Sequence, residues 1–454
     1  MKKISLFTLT LLIISSIDNI KNLSAVALCG SALIPFFVIA SLFFLIPTAL
    51  VSAALSSAFP EKGGIYHWVG KAFGNRLGMT AVWLQWINTM VWYPTMLCFI
   101  AGTAAYLFCP DWADHRGYLV LSTLSLFWGL TWINLKGVYV SSRLTNICAV
   151  IGTMIPMLCL IGMGVVWVLK GGEVQISLEV KEAVSSLSAP GHWVSLIGIM
   201  ASFLGMELSG VHITEVAEPK KNFPRAVFLA TLFIFFSMGL SSLALALVVP
   251  QEEIQLVAGV MQVFRRFFEF FGLEALTPLL AFCITIGSIG TMVNWLISPA
   301  KGLLHAAECG FLPSLFTRKN QQGVAAPLLL GQGVVVTLFC LVFLFQPSVS
   351  GFFWFLVALS TELYMIMYIL MFCAAIKLGC RTRVLSLLGL LGCLTTIGVA
   401  FIPPNHVNMG YSANYLFMIG LGNLIAIAPL FVLFQIEKRR KSSLSLSSSP
   451  LASP

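Results

Sequence analysis

Apolar residues along this chain fall into long runs, each closed by a charge, a proline or a glycine. That is a helical pattern, since a spanning strand would be shorter and would alternate. The runs predict twelve helices, at about 5–32, 33–57, 77–108, 118–136, 144–169, 192–217, 226–249, 275–305, 326–346, 350–377, 384–402 and 411–436. About 20 apolar residues suffice to cross a bilayer core, and a helix satisfies every backbone group within its own segment. Residues 250–273, from Gln251-Glu252-Glu253 to Phe270-Phe271-Gly272, read instead as an interfacial helix in a loop. From Glu437 the chain turns polar, with Lys438-Arg439-Arg440-Lys441 leading into a Ser/Pro-rich stretch expected to be disordered.

The start imitates a secretory signal: Met1-Lys2-Lys3, then an apolar run from Ile4 to Ile14. A signal should end in a small-x-small cleavage site. This run ends in Ser15-Ser16-Ile17-Asp18-Asn19 and resumes at Leu23, so the expectation is an uncleaved, interrupted first span.

Composition agrees with lipid as the solvent. Of 454 residues, 58% are hydrophobic and 9% charged, with a mean hydropathy of +0.95; a soluble domain carries about 25% charged residues. Soluble enzymes are thereby excluded. The net charge of +9 resides mostly in short gaps between runs. With twelve spans, 20 of the 26 Lys and Arg fall on the side of the termini, five fall opposite, and Lys21 stays inside a span. Positive loops are retained in the cytoplasm, which predicts both termini there in a bacterial cytoplasmic membrane. The basic excess is thus topological, and no nucleic-acid partner is expected. Eleven cysteines contain no C-x-x-C pair and mostly sit in apolar runs, as packing residues rather than a disulfide frame or metal site.

Three acids remain at membrane depth: Asp18, Glu207 and Glu362. An ionisable residue there is by default a functional hypothesis. Asp18 and Lys21, three apart, are expected to neutralise each other in part. The stretch from Ser15 to Asn22 holds six polar side chains in the first span, and Gly205-Met206-Glu207-Leu208-Ser209-Gly210 puts two glycines and a glutamate midway through the sixth. Both are poor helix interior. Paired breaks five spans apart are what an inverted repeat produces, and such breaks expose backbone groups that can hold a charged substrate. Gly-mediated helix packing would explain the second break but not its glutamate.

Several motifs then resemble a known family. Ile46-Pro47-Thr48-Ala49-Leu50-Val51-Ser52-Ala53, Pro60-Glu61-Lys62-Gly63-Gly64-Ile65-Tyr66, Phe73-Gly74 and Trp83-Leu84-Gln85-Trp86 are similar to spans two and three of the amino acid-polyamine-organocation superfamily. Ala201-Ser202-Phe203-Leu204-Gly205-Met206-Glu207, with Glu218-Pro219-Lys220-Lys221-Asn222-Phe223-Pro224-Arg225-Ala226, resembles its sixth span and following loop. Trp295-Leu296-Ile297-Ser298-Pro299-Ala300-Lys301-Gly302 resembles its eighth. The branch most resembled is that of the bacterial glutamate/GABA antiporters.

The resemblance implies an all-α membrane protein of the LeuT type. One repeat would span about 5–169, its inverted copy about 192–377, with two further helices at about 384–436, a transporter domain over 1–436 and a tail over 437–454. It implies a substrate site of Ser16, Asp18, Asn19, Ser202, Gly205, Glu207 and Trp295, with Glu207 as pore glutamate and Trp295 as mid-pore gate. His212, Glu215 and Glu362 are further gate or proton-linked candidates, although a histidine near a span end is more often a capped interfacial residue, and Glu362 can equally hydrogen-bond within the bundle. Trp83, Trp86 and Trp92 read as packing and belt residues. Three departures stand out. Ile17-Asp18-Asn19 replaces the family's Gly-rich first break, Ala201 stands where arginine/agmatine exchangers carry an aromatic gate, and the tail of 18 residues is shorter than the plug of glutamate/GABA antiporters.

The function expected is exchange of amino acids, of the glutamate/GABA type, with an arginine/agmatine-type or proton-coupled permease as alternatives. Substrates would be small amino acids or amines, membrane lipid the surroundings, and no cofactor is implied. No P-loop occurs. Other classes fit worse: an ion channel needs a filter motif, and an intramembrane metalloenzyme needs H-E-x-x-H or a His/Cys cluster.

Overall fold

The computed structural model describes residues 4–60, 64–137, 142–177, 179, 181–182, 185, 187, 190–208, 210, 216–345, 348–404 and 415–447. Among these the chain is helical throughout, with a single isolated bridge between Ile4 and Val216. The first apolar run gives α1 (Leu6–Ile17), a 3-10 turn at Ile20–Asn22, and α2 (Leu23–Ala27). The second gives α3 (Leu33–Ala40) and α4 (Ile46–Ala58), joined by a π turn at Ser41–Leu45. A short α5 (Ile65–Phe73) precedes α6 (Asn75–Ala105) and α7 (Arg116–Leu135). Next come α8 (Ser142–Ala149) and α9 (Ile155–Leu169), again joined by a π turn, at Val150–Met154. Each π turn lies just before a proline, Pro47 or Pro156. A proline cannot donate to the carbonyl four residues back, and a wider turn absorbs the misfit.

The second half repeats the broken start with α10 (Leu196–Ser202), a turn through Gly205 and a 3-10 stretch through Leu208. It continues with α11 (Pro219–Val248), α12 (Gly259–Phe271), α13 (Thr277–Glu308), α14 (Ala326–Leu344), α15 (Val349–Lys377), α16 (Arg383–Ala400), α17 (Tyr415–Ile427) and α18 (Pro429–Ser447). α12 is the amphipathic helix expected between 250 and 273: Val260, Met261, Val263, Phe264, Phe267 and Phe268 face inward, while Arg265 pairs with Glu269 on the exposed side at 2.8 Å.

By length and hydropathy, ten helices among the described residues can cross a membrane, and Leu196–Leu208 is a shorter apolar helix. The expected count of twelve is therefore not reached on that measure. α6 is 31 residues long but is not one of the ten, because it carries Gln85, Asn88, Thr89, Thr95 and Thr103, all buried. It can carry them because it packs against α5, α7, α13 and α15 in the middle of the bundle. The tail also differs from expectation. Helix α18 runs through Ser447, ten residues past the start of the predicted tail, and Glu437 is buried, accepting a bond from Arg76 Nε at 2.9 Å. A basic tetrad read as the end of order is here the continuation of a helix anchored on α6.

The crossing of α13 with the π turn before α9 is closer than side chains allow. A Cβ added to Gly152 would lie 2.4 Å from the Cα of Gly287, and one on Gly287 2.3 Å from the Cα of Gly152. Glycine on both sides lets the two backbones touch.

Candidate functional site

Both predicted breaks are present. α1 stops at Ile17, and Asp18 (φ −68°, ψ 99°) and Asn19 (φ −125°, ψ 111°) are extended. Asn19 Oδ1 accepts from the Lys21 amide at 3.2 Å and caps the following turn, while its Nδ2 donates to Met96 Sδ at 3.5 Å. In the sixth span, Gly205 takes φ +109°, a conformation that only glycine adopts without strain.

The two breaks meet. A Cβ on Gly205 would sit 3.4 Å from the Ser16 carbonyl oxygen and 3.4 Å from the Trp295 ring. Trp295, on α13, therefore lies over the second break and beside the end of α1. Its ring packs at a tilt against Trp92 of α6, with centroids 5.0 Å apart and planes at 33°. Its backbone has an unusual partner. Pro299 stands four residues on and has no amide to donate to the Trp295 carbonyl; Tyr93 Oη donates to that carbonyl instead, at 2.8 Å.

Glu207 is held by three donors from two other helices. Oε1 accepts from Gln85 Nε2 on α6 at 2.9 Å and from Tyr364 Oη on α15 at 2.6 Å, and Oε2 accepts from Tyr368 Oη. Tyr368 in turn accepts from the Gly205 amide at 3.0 Å. Tyr364 and Tyr368 are four apart and share one face of α15. A carboxylate so surrounded is bonded on both oxygens, and the same network ties the glycine break to the centre of the bundle.

Asp18 reaches in another direction. Its Oδ2 accepts from Ser237 Oγ on α11 at 2.8 Å, while Oδ1 has no partner among the described residues. The expected neutralisation by Lys21 does not occur: the Lys21 ammonium lies over the rings of Trp92 at 5.3 Å and Phe353 at 5.7 Å. A spacing of three places two side chains together only on an unbroken helix, and the extended residues between these two turn them apart.

Of the remaining candidates, Ser16 and Ser202 donate to their own helices, at Leu12 (2.8 Å) and Ile199 (2.6 Å). Glu362 is buried but accepts from Asn423 on α17, not from the Glu207 network. Two residues along a helix is about 200°, so Glu362 and Tyr364 face opposite ways. His212 and Glu215 lie outside the described residues. The structure thus brings together the Ser16 carbonyl, Gly205, Glu207 and Trp295, and leaves Glu362 apart. Asp18, Lys21 and Glu207 are each only 2% exposed, so these groups are shielded from solvent in this conformation.

Sequence reasoning missed Gln85, Tyr93, Tyr364, Tyr368 and Ser237, and assigned Trp92 to plain packing. The i, i+4 spacing of Tyr364 and Tyr368, just after Ser360-Thr361-Glu362, was the signal available for two of them. Trp83 and Trp86 do behave as packing residues, donating to the Ala426 carbonyl and to Gln332 Oε1, both at 2.8 Å.

Comparison with known proteins gives a consistent picture. A family model described as amino acid permease matches residues 4–423. An uncharacterized transporter of Legionella pneumophila is 36% identical over 422 residues, covering 89% of this chain and 91% of that one. A glutamate/gamma-aminobutyrate antiporter of Lactococcus lactis is 26% identical, over 97% of this chain and 92% of its own length. A probable agmatine/putrescine antiporter of the same species is 25% identical, over 83% and 80%.

Proposed function

Since the chain belongs to the amino acid permease family, we propose that it is a secondary antiporter of the cytoplasmic membrane that exchanges small amino acids, of the glutamate/GABA type, with both termini in the cytoplasm. The observation that carries this reading is the meeting of the two helix breaks beneath Trp295, with Glu207 of the second break bonded to Gln85, Tyr364 and Tyr368. Breaks at membrane depth are tolerated where they line a binding cavity. A substrate seated there would be covered by the Trp295 ring on one side and would face Ser16 and Gly205 backbone on the other.

Alternation then follows from the network. Gly205, Glu207 and the two tyrosines of α15 form one bonded unit, and Trp295 belongs to α13. Moving α10 relative to α13 opens or closes the contact between ring and break. Glu207 is shielded while its donors are in place and would meet solvent when they part, which makes it the group through which pH would act on exchange. Ala201 supports the glutamate/GABA type over the arginine/agmatine type, as no aromatic ring stands at that place on α10. The Lactococcus agmatine/putrescine relative keeps amines as the competing reading.

Counterflow in proteoliposomes tests the proposal. Vesicles loaded with unlabelled glutamate or GABA should take up labelled glutamate faster than empty ones, and agmatine should not substitute. Acceleration by agmatine alone would select the amine reading, and none by any amino acid or amine would refute exchange.

A further inference from the structure

Lys21, like Asp18 and Glu362, is a buried ionisable residue that this mechanism does not use, and it is the basic one among them. It is the second residue of the turn that opens the segment after the first break, and it is 2% exposed. Among the described residues its ammonium makes no ion pair and no side-chain hydrogen bond; its neighbours are the faces of Trp92 and Phe353. The acid three residues earlier is bonded to Ser237 instead. Ring faces compensate a cation only in part, and a buried charge without a counter-charge is strongly disfavoured.

The place of this ammonium matters as much as its isolation. Trp92 holds it on one side and packs against Trp295, which in turn covers Gly205, so two rings in contact link the cation to the crossing of the breaks. The Lys21 amide, by contrast, is already bound by Asn19 Oδ1. A backbone donor that an open break would offer to a carboxylate is here used within the chain, and a side-chain cation stands beside it.

We propose that Lys21 anchors the carboxylate of the transported molecule and, by the same charge, excludes diamines from the site. The assignment rests on the reading of the chain as an antiporter of amino acids and names the group that sets its substrate class. Every amino acid, and GABA, carries a carboxylate to complete the ammonium. A diamine offers a second cation and is repelled.

GABA and putrescine form a matched pair, identical except that an aminomethyl group replaces the carboxylate. Each is titrated as competitor against labelled glutamate in counterflow with the purified full chain. In the wild type GABA competes and putrescine does not. In Lys21→Met the apparent affinity for GABA falls by roughly 30-fold or more, the size expected when one partner of a buried charge pair is truncated, while putrescine gains and the ratio between them collapses. Lys21→Arg, which keeps the charge, retains the preference for GABA. An unchanged GABA-to-putrescine ratio in Lys21→Met overturns the assignment and leaves the antiporter reading standing; so does a loss in Lys21→Arg equal to that in Lys21→Met. A wild type that exchanges no carboxylate-bearing molecule overturns both. Should Lys21→Met not reach the membrane, the Arg variant and Lys21→Gln carry the same comparison.

Discussion

The bond from Tyr93 to the Trp295 carbonyl exists because Pro299 cannot make it, and that dependence can be measured. Tyr93→Phe removes one hydroxyl and leaves the ring in its contacts with Trp92 and Phe127. The carbonyl is then buried with no donor. In water-soluble proteins such a loss costs about 1–3 kcal/mol, whereas hydrogen bonds between membrane helices average about 0.6 and reach about 1.7 kcal/mol. The upper part of the membrane range applies, since the carbonyl has no intrahelical amide to fall back on, so about 1.5 kcal/mol is expected. Pro299→Ala restores that amide. In the Pro299→Ala background Tyr93→Phe should therefore cost about 0.5 kcal/mol or less, giving a coupling near 1 kcal/mol, well above the roughly 0.3–0.5 kcal/mol scatter of additive pairs. Reversible unfolding in mixed micelles, followed by circular dichroism, measures all four corners of the cycle. Additive effects, or a neutral Tyr93→Phe in the native background, would refute the account of how α6 holds the backbone of the ring-bearing helix.

Three further outcomes are expected. Glu207→Gln keeps the size of the side chain but not the charge that its three donors face, so the protein should insert and purify while the rate or the pH optimum of exchange changes; identical exchange at every pH would reduce Glu207 to a structural tie. Gly205→Ala should cost about 1–3 kcal/mol through backbone strain at φ +109° rather than through a clash, since the new Cβ would stand at ordinary contact distance of 3.4 Å; wild-type stability and exchange would show that the break relaxes freely. Single cysteines at positions 71, 221, 319 and 439 should be labelled from the cytoplasm and those at 116, 170 and 265 from outside, and position 221 reacting from outside would break the orientation argument.

The positions of the breaks were legible because they contradict their surroundings. Six polar side chains between Ser15 and Asn22, and two glycines flanking Glu207, have no reason to sit in a lipid-facing helix. The partners of Glu207 were not legible, as Tyr364, Tyr368 and Gln85 lie on spans far away in sequence and each is acceptable as packing on its own. Lys21 was misread for a physical reason: its pairing with Asp18 presumed helical phase across residues that prove extended. Glu362 was left between the pore and a bond within the bundle; it makes the latter, to Asn423, on the face of α15 opposite the tyrosines, and a face cannot be chosen from sequence on a helix whose surface is buried almost all round. The sixth span was expected to run to residue 217, yet its α-helix ends at Ser202. Apolarity continues past that point and hydropathy registers no difference between wound and unwound backbone.

Where α13 crosses the π turn before α9, Gly152 and Gly287 leave no layer of side chains between the two backbones. Two backbones in direct contact hold their separation at that point while the angle between them can change, so the crossing has the geometry of a pivot. Trp295 stands eight residues along the same helix, about 12 Å from it at 1.5 Å per residue. A tilt of α13 by about 10° about that pivot would carry the ring through about 2 Å, enough to lift it out of contact with Gly205. A lever of that length lets a small rotation, nearly invisible at the pivot, uncover or seal the centre of the protein.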